Sequence, residues 1–565
     1  MITDALIKSS LPFKTPRPAQ VHALEFIAQA WQDGIDTVVL DLPTGVGKSG
    51  VAIGASRLSA QIPRDGREMD RGAWLLTTQK TLQAQYAREF PDLIANISSK
   101  SNYPCVAYEG RESCEKGYRL AKKAKDKTIK EYLSTVKKTP QTQHIHDMCQ
   151  RLMSQGHDSL PCAQDGPCPY KTAWMDWIGS EIGVTNLAFF LNLVRAKFLE
   201  RDLLIVDEAH TIEEELVNFL SMDISEEFLK RELKMTAPVL RNLAEMREFV
   251  RDTMIPRMKK LRISLEAESL SMGMQGKNTS QVDRRYRHID SSLRKAVSFV
   301  DDKAPDDWVF CSDKDGNQSA RPLHTARVGA GMLLTQGKRH LFMSGTILDV
   351  DQFCHTVGLE RKKVRYYSED SPFDPEKRIV VFRDCGSMGR KKFEETWPIV
   401  KKNIRLLLDR HEGQKGIIHT GTYRLAQMLA QEVKSSRFLF HADARERQAI
   451  LEEHAKSKND TILVSPSMTV GVDLKGDLAD FGIILKAPFL YLGDERIRKL
   501  FEEDKGWYNW KTLQEIMQMC GRIHRDDNDD TVMYILDGDA IRLINQCSNI
   551  VPEWWRAGLY SEDHK

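Results

Sequence analysis

Short apolar runs, each closed by a turn or by a chemically loaded residue, recur along the 565-residue chain. IDTVVLDL at 35–42 leads into a glycine turn and then a helical stretch. AWLLTT at 73–78, LLIVD at 203–207 and HLFMSGT at 340–346 repeat the pattern. LLIVD is apolar until its last residue, as strands buried on both faces of a parallel sheet are. Strands alternating with helical stretches predict a doubly wound α/β domain. From about 356 a second α/β pattern begins, with strands at 416–420, 461–465, 481–486 and 531–537. Two long intervals, 96–180 and 211–320, interrupt the first pattern. In the second interval Val282, Tyr286, Ile289, Leu293, Val297 and Val300 recur at helical spacing. Gly273 and Gly276, in a polar run, mark a loop before that helix. The fold class expected is therefore α/β, two doubly wound domains with two insertions in the first. The first domain is expected at 1–95, 181–210 and 321–355, its insertions at 96–180 and 211–320, and the second domain at 356–565.

Composition narrows the setting. Hydrophobic content of 41% and charged content of 29% are those of a globular protein. A net charge of +2 does not betray a nucleic-acid partner, so any such surface must be local. No apolar run approaches the roughly 18 residues of a membrane span, and the opening MITDALIKSSLPFK lacks a signal-peptide core. A cytoplasmic location is expected, with no membrane partner. There ten cysteines are not expected to form a disulfide framework.

The turn Pro43-Thr44-Gly45-Val46-Gly47-Lys48-Ser49 follows a strand and opens a helix. Gly45 and Gly47 let backbone N–H groups approach phosphate oxygens, and the helix N-terminus favours their charge. Lys48 would reach the β/γ-phosphates of ATP and Ser49 would hold Mg2+. The early glycine of such loops is replaced by Leu42. Asp207-Glu208-Ala209-His210 closes an apolar strand. Asp207 is placed to bind Mg2+ and Glu208 to orient and deprotonate the attacking water, with His210 beside them. In the second domain, Gln518-Met519-Cys520-Gly521-Arg522-Ile523-His524-Arg525 sets two arginines three apart. On a helix they share a face, suited to stabilising charge on the transferring phosphoryl group.

Five cysteines cluster between Cys105 and Cys168. Cys105 and Cys114 are separated by eight residues, Cys162 and Cys168 by five. Zinc pairs usually leave two to four, so the gaps favour an iron–sulfur cluster on four thiolates. Cys149 is a fifth candidate. The run KGYRLAKKAKDKTIKEYLSTVKK between them carries nine Lys or Arg. It reads equally as a solvated helix face or as phosphate contacts to a DNA strand.

Taken in order, these motifs resemble a superfamily 2 helicase. Arg17-Pro18-Ala19-Gln20 is similar to the adenine-reading motif, TTQKTLQAQ at 77–85 to motif Ia, and Ser344-Gly345-Thr346 to motif III. SPSMTVGVDLKGD at 465–477 is similar to motif V and QMCGRIHR at 518–525 to motif VI. The S-G-T form, SPF at 371–373 and KAPF at 486–489 resemble the DinG/XPD branch. The resemblance implies two RecA-like motor domains, a [4Fe–4S] insertion on Cys105, Cys114, Cys162 and Cys168, and a helical arch insertion. It implies that Arg17 and Gln20 meet the adenine, that Gly471 and Asp473 line the interdomain cleft, and that Gln518, Arg522 and Arg525 face the nucleotide. The implied activity is ATP-dependent 5′-to-3′ translocation on single-stranded DNA and unwinding of forked DNA by a monomer, with R-loops as a further partner. Two alternatives stay open: an ATPase that remodels protein–DNA complexes without separating strands, and a nucleotide-gated adaptor in a larger nucleic-acid complex.

Overall fold

The computed structural model describes residues 3–62, 72–105, 114, 128–135, 150, 153–154, 168–193, 200–274, 279–301, 307–312, 317–441, 446–466, 478–524 and 529–562. Cys149, Cys162, Gly276, Gly471, Asp473, Arg525 and most of the basic run lie outside the described residues.

Seventeen described strands form three sheets. The first sheet is built from β1 (Thr37–Asp41), β2 (Ala73–Thr77), β3 (Ala95–Asn96), β4 (Ile182–Asn186), β5 (Arg201–Asp207), β9 (Gly337–Ser344) and β10 (Val364–Ser368). Its order is β10-β1-β9-β5-β2-β4-β3, and every pairing is parallel. The predicted strands at 35–42, 73–78, 203–207 and 340–346 are all present. They are apolar because helices cover both faces. Every residue of β1, β2 and β5 is buried. The first sheet also continues past residue 356, because β10 pairs with β1 from Thr37–Val364 to Asp41–Ser368.

The second sheet takes β11 (Arg378–Phe382), β12 (Gly416–His419), β13 (Phe438–Phe440), β14 (Ile462–Ser465), β15 (Phe481–Ile484), β16 (Thr531–Ile535) and β17 (Leu559–Ser561). Its order is β13-β14-β12-β15-β16-β11-β17, again parallel throughout. Two doubly wound sheets, each with helices between its strands, give the paired RecA-like architecture the motifs implied.

The interval 211–320 is helical for most of its length but is not helix alone. Long helices Ile255–Met274 and Ser280–Phe299 pack on an antiparallel sheet of β6 (Met222–Ile224), β8 (Gln318–Pro322) and β7 (Trp308–Ser312). Val282, Ile289 and Leu293 are buried there as their spacing predicts, whereas Val297 is 47% exposed on the opposite side. Gly273 lies inside the first of these helices rather than in a loop.

The helix Pro169–Gly179, which starts directly after Cys168, is anchored to the first sheet. Trp177 stacks on Trp74 of β2 with ring centroids 4.1 Å apart, and the Arg201 guanidinium lies 3.6 Å from the Trp74 ring centroid. Arg201 donates to the carbonyls of Trp177, Ile178 and Ala73. Burial lowers its pKa to about 10, and its paired carbonyls compensate for desolvation. One hydrophobic core crosses between the two α/β domains, joining Phe342, Ile347 and Phe353 to Trp510, Leu513 and Met517.

Candidate functional site

Registration of the first sheet gathers the chemistry. Asp41 pairs with Ser344, and Asp207 with Met343, so β1, β9 and β5 end level with one another. The phosphate loop, the Ser344-Gly345-Thr346 turn and the DEAH turn therefore leave the same carboxyl edge, where open α/β sheets bind ligands.

The phosphate loop has the expected form. Gly47 caps the helix Lys48–Ser59 at φ 84°, and Gly45 has φ 92°. A Cβ on Gly47 would stand 2.4 Å from Gln20 Nε2, and one on Gly45 would stand 2.3 Å from the Phe373 ring. Both positions thus require glycine for conformation and for space. Ser49 lies in the first turn of that helix. Leu42 is fully buried, and its carbonyl accepts from Lys48 Nζ at 3.2 Å. The residue replacing the early glycine is thus a core side chain that leaves its carbonyl to the lysine. Gln20 Nε2 donates to the Gly47 carbonyl at 3.1 Å, and Arg17 donates to the Gly45 carbonyl. Both residues expected to meet the adenine thus grip the loop backbone.

Asp207 is 2% exposed. Tyr86 Oη donates to its Oδ2 at 2.7 Å, and the Glu208 N–H donates to its Oδ1 at 2.9 Å. Burial first, then the Glu208 charge, raises the Asp207 carboxyl to about 6, while Lys48 and the two hydrogen bonds oppose the rise. A divalent cation there would replace the missing solvation of that carboxylate. Glu208 adopts φ 54°, ψ 45°, a left-handed conformation that is costly for a residue with a Cβ and typical of functional turns.

A line of hydrogen bonds leads from this turn into the second domain. His210 Nδ1 lies 2.7 Å from Ser344 Oγ, which also accepts from the Thr346 N–H at 3.1 Å. Gln518 Nε2 donates to Thr346 Oγ1 at 2.8 Å, and Arg522 Nη2 donates to Gln518 Oε1 at 2.9 Å. Burial above all, aided by the charges of Lys511, Arg522 and Lys48, lowers His210 to about 4 against the pull of Glu208. The imidazole is therefore neutral at pH 7 and links the two turns as a hydrogen-bonding group. Thr44, Lys48, Glu208, Thr346, Gln518 and Arg522 together border a solvent-open cleft between the domains.

One expectation about this cleft is corrected. The helix Lys505–Cys520 ends before Arg522, and Gly521 is its C-cap. Arg522 reaches the cleft from the turn beyond the helix, so the face-sharing argument for Arg522 and Arg525 does not apply. Three contributors were not found from sequence: Tyr86 on Asp207, Phe373 over Gly45, and Asp41, whose Oδ2 accepts from the Leu348 N–H at 2.8 Å. Burial raises the Asp41 carboxyl to about 6 against backbone hydrogen bonds from Leu348 and Ile347. A carboxylate closing the strand into a phosphate loop was the available signal for Asp41; the other two are long-range contacts.

Cys105, Cys114 and Cys168 are all buried. The Cys114 N–H donates to the Tyr103 carbonyl at 2.7 Å, and the Tyr103 ring meets Tyr170 edge-on at 5.4 Å. These contacts draw the segments of the three cysteines together. Among the described residues no group of three or more His, Cys, Asp or Glu is arranged to hold a metal ion. No described helix is long and apolar enough to cross a membrane.

Residues 13–239 match the family described as type III restriction enzyme, res subunit, and residues 408–558 match the helicase C-terminal domain family. No curated protein matches the sequence significantly. Among solved structures, one titled XPD helicase is 13% identical with a TM-score of 0.64, covering 98% of this chain and 100% of its own. Xpd4 from S. tokodaii is 14% identical with a TM-score of 0.55 over 97% and 100% of the two chains. A structure titled XPD apo is 11% identical with a TM-score of 0.59 over 95% and 99%.

Proposed function

We propose that the chain is a DinG/XPD-like superfamily 2 helicase, an ATP-dependent DNA helicase that moves 5′ to 3′ on single-stranded DNA and opens forks. The observation that carries the reading is the hydrogen-bonded line from His210 through Ser344, Thr346 and Gln518 to Arg522. It joins the hydrolytic turn of one motor domain to an arginine of the other. Hydrolysis is thereby tied to relative domain motion, which a translocating motor requires.

In this reading Lys48 and the N–H groups of the loop from Thr44 to Ser49 hold the phosphates. Ser49 and Asp207 hold Mg2+, and Glu208 takes the proton of the attacking water. Arg522 and Arg525 stabilise the γ-phosphoryl group as the cleft closes, and Gly471 and Asp473 line that cleft. Arg17 and Gln20, already on the loop backbone, would meet the adenine.

Cys105, Cys114, Cys162 and Cys168 would hold a [4Fe–4S] cluster. An all-sulfur donor set, in which Cys105, Cys114 and Cys168 are buried, suits iron–sulfur chemistry. The cluster would brace the insertion beside the DNA path. R-loops are a second substrate class for such a motor, and a monomer is sufficient for the proposed stepping.

The deciding experiment compares ATPase and unwinding on forks with only a 5′ or only a 3′ single-stranded tail, together with RNA forks of the same sequence. Unwinding from the 5′ tail of DNA is expected. Efficient unwinding from the 3′ tail, or of RNA alone, would overturn the reading. The same preparation, purified without oxygen, should absorb in the visible and contain about four irons per chain; stoichiometric zinc without iron would remove the cluster.

A further inference from the structure

A second group of buried charges lies outside the cleft lined by Lys48 and Glu208. Glu213 sits on the helix Ile212–Leu220, which begins two residues after His210. Its Oε1 accepts from Arg496 Nη2 at 2.7 Å. Its Oε2 accepts from Trp507 Nε1 at 3.1 Å and lies 3.2 Å from Lys511 Nζ. All four residues are buried. The three donors belong to the second motor segment, on the helices Glu495–Glu503 and Lys505–Cys520. Burial alone would push the Glu213 carboxyl up. The charges of Lys511 and Arg496, with the hydrogen bonds from Arg496 and Trp507, together outweigh burial and hold it below the usual carboxylate range.

The two cations reach further into the first segment. Arg496 Nε donates to the Pro322 carbonyl at 2.8 Å, and Lys511 Nζ donates to the His210 carbonyl at 3.3 Å, on the DEAH turn itself. Lys511 also begins a row along one face of its helix, because residues three or four apart share a face. Trp510 Nε1 donates to the Ile347 carbonyl at 2.7 Å, Gln514 Nε2 to the Thr346 carbonyl at 2.8 Å, and Gln518 Nε2 to Thr346 Oγ1 at 2.8 Å. The row ends at Gln518, whose Oε1 accepts from Arg522 Nη2 in the turn beyond the helix. Where Glu213 holds one end of this helix thus bears on where Gln518 and Arg522 stand at the other.

We propose that Glu213 is a positioning residue of the ATPase: its buried carboxylate latches the helix Lys505–Cys520 onto the DEAH turn and so sets Gln518 and Arg522 over the nucleotide cleft. The proposal rests on the ATPase reading above, but the latch itself is a contact between domains that needs no nucleotide. A buried ion pair of this kind contributes little net stability, whereas loss of one partner strands the other charges in a medium that cannot solvate them. Without the carboxylate, Arg496 and Lys511 are relieved only by moving toward water, which draws the helix away from the turn. Its value is register between two bodies, the use for which buried polar groups are best attested.

The test uses the full chain with one dye on an exposed residue of each motor segment. It measures the distribution of inter-dye distances without nucleotide, binding of a fluorescent ATP analogue, and steady-state hydrolysis. Glu213→Gln should shift the distances toward longer and broader values. It should lower kcat about tenfold or more while changing the KM for ATP by less than about threefold, because Arg522 acts mainly in the transition state. Glu213→Asp keeps the charge and should recover part of both losses. Wild-type distances and kcat in Glu213→Gln, or an Asp variant no better than the Gln variant, would overturn the latch. Should Glu213→Gln fail to fold, Lys511→Met attacks the same contact from the other domain and is expected to open it likewise; unchanged distances and kcat there would count against the latch equally. Absence of hydrolysis by the wild-type chain would instead overturn the ATPase reading, while the distance measurement would still decide on the latch.

Discussion

In the proposed mechanism Lys48 is the residue on which hydrolysis most directly depends. Its ammonium group is held over the phosphate loop by the Leu42 carbonyl, ready to meet charge building on the γ-phosphoryl oxygens. Lys48→Ala should lower kcat a hundredfold or more, about 3 kcal/mol of transition-state stabilisation; phosphate release at saturating ATP measures it, with circular dichroism to show an intact fold. His419, at the end of β12, makes a different prediction. Burial, then the neighbouring Arg522, lowers its pKa to about 3. Between that value and the ordinary 6.5 the unfolded chain binds a proton that the folded chain does not, so this contribution to stability is intact above pH 6.5 and is lost as pH falls below it. At pH 5 the loss is about 2 kcal/mol. His419→Leu should therefore lose less stability than wild type on going from pH 7 to pH 5. Urea midpoints at the two pH values give the comparison, and equal pH dependence of both proteins would mean that the imidazole is charged when buried.

At the scale of elements, legibility followed how local the signal was. Strands β1, β5 and β9 could be read because each carries a short apolar run closed by a motif. The phosphate-loop glycines could be read because positive φ and close approach leave no other residue. Strands β10, β11, β13 and β17 escaped, being short or mixed in polarity; in the edge strand β10, VRYYS, only Val364 is buried. The antiparallel sheet inside 211–320 was hidden for the same reason. Tyr86 and Glu213 act on the site from helices whose own pattern is ordinary, so only tertiary contact reveals them. Arg522 was placed in the cleft correctly by motif but for the wrong local reason, since a helical spacing was assumed across the glycine that ends the helix. The helix Pro169–Gly179 carries its own prediction. Trp177 is fully buried between Trp74 and the sheet, so Trp177→Ala should cost about 3–5 kcal/mol. Because Cys168 is the N-cap of this helix, the loss should also speed release of iron from the proposed cluster to a chelator. Unchanged iron retention in a destabilised Trp177→Ala protein would detach the helix from the cluster.

For the whole molecule, the cleft needs both halves. Lys48, Asp207 and Glu208 belong to one motor domain, and Arg522 stands opposite, donating a hydrogen bond to Gln518. Arg522→Ala should leave affinity for ATP within a few-fold of wild type and lower kcat far more, because the guanidinium is recruited as the domains close. Analogue titration beside turnover separates the two; a fall confined to affinity would place Arg522 in ground-state binding.

The order of strands in the first sheet also has a consequence in time. β1, which launches the phosphate loop, lies between β9 and β10, and its register partners run from His340 to Ser368. A ribosome that has just made Asp41 must therefore add about 300 more residues before either neighbour of β1 exists, roughly 15–60 s at ordinary elongation rates. Throughout that interval the backbone edges of β1 have no native partner, and the loop at its end has no turn from β9 beside it. The ATP site is among the last parts of the first domain that synthesis can complete, and a nascent chain stalled before residue 337 would present sticky strand edges to chaperones.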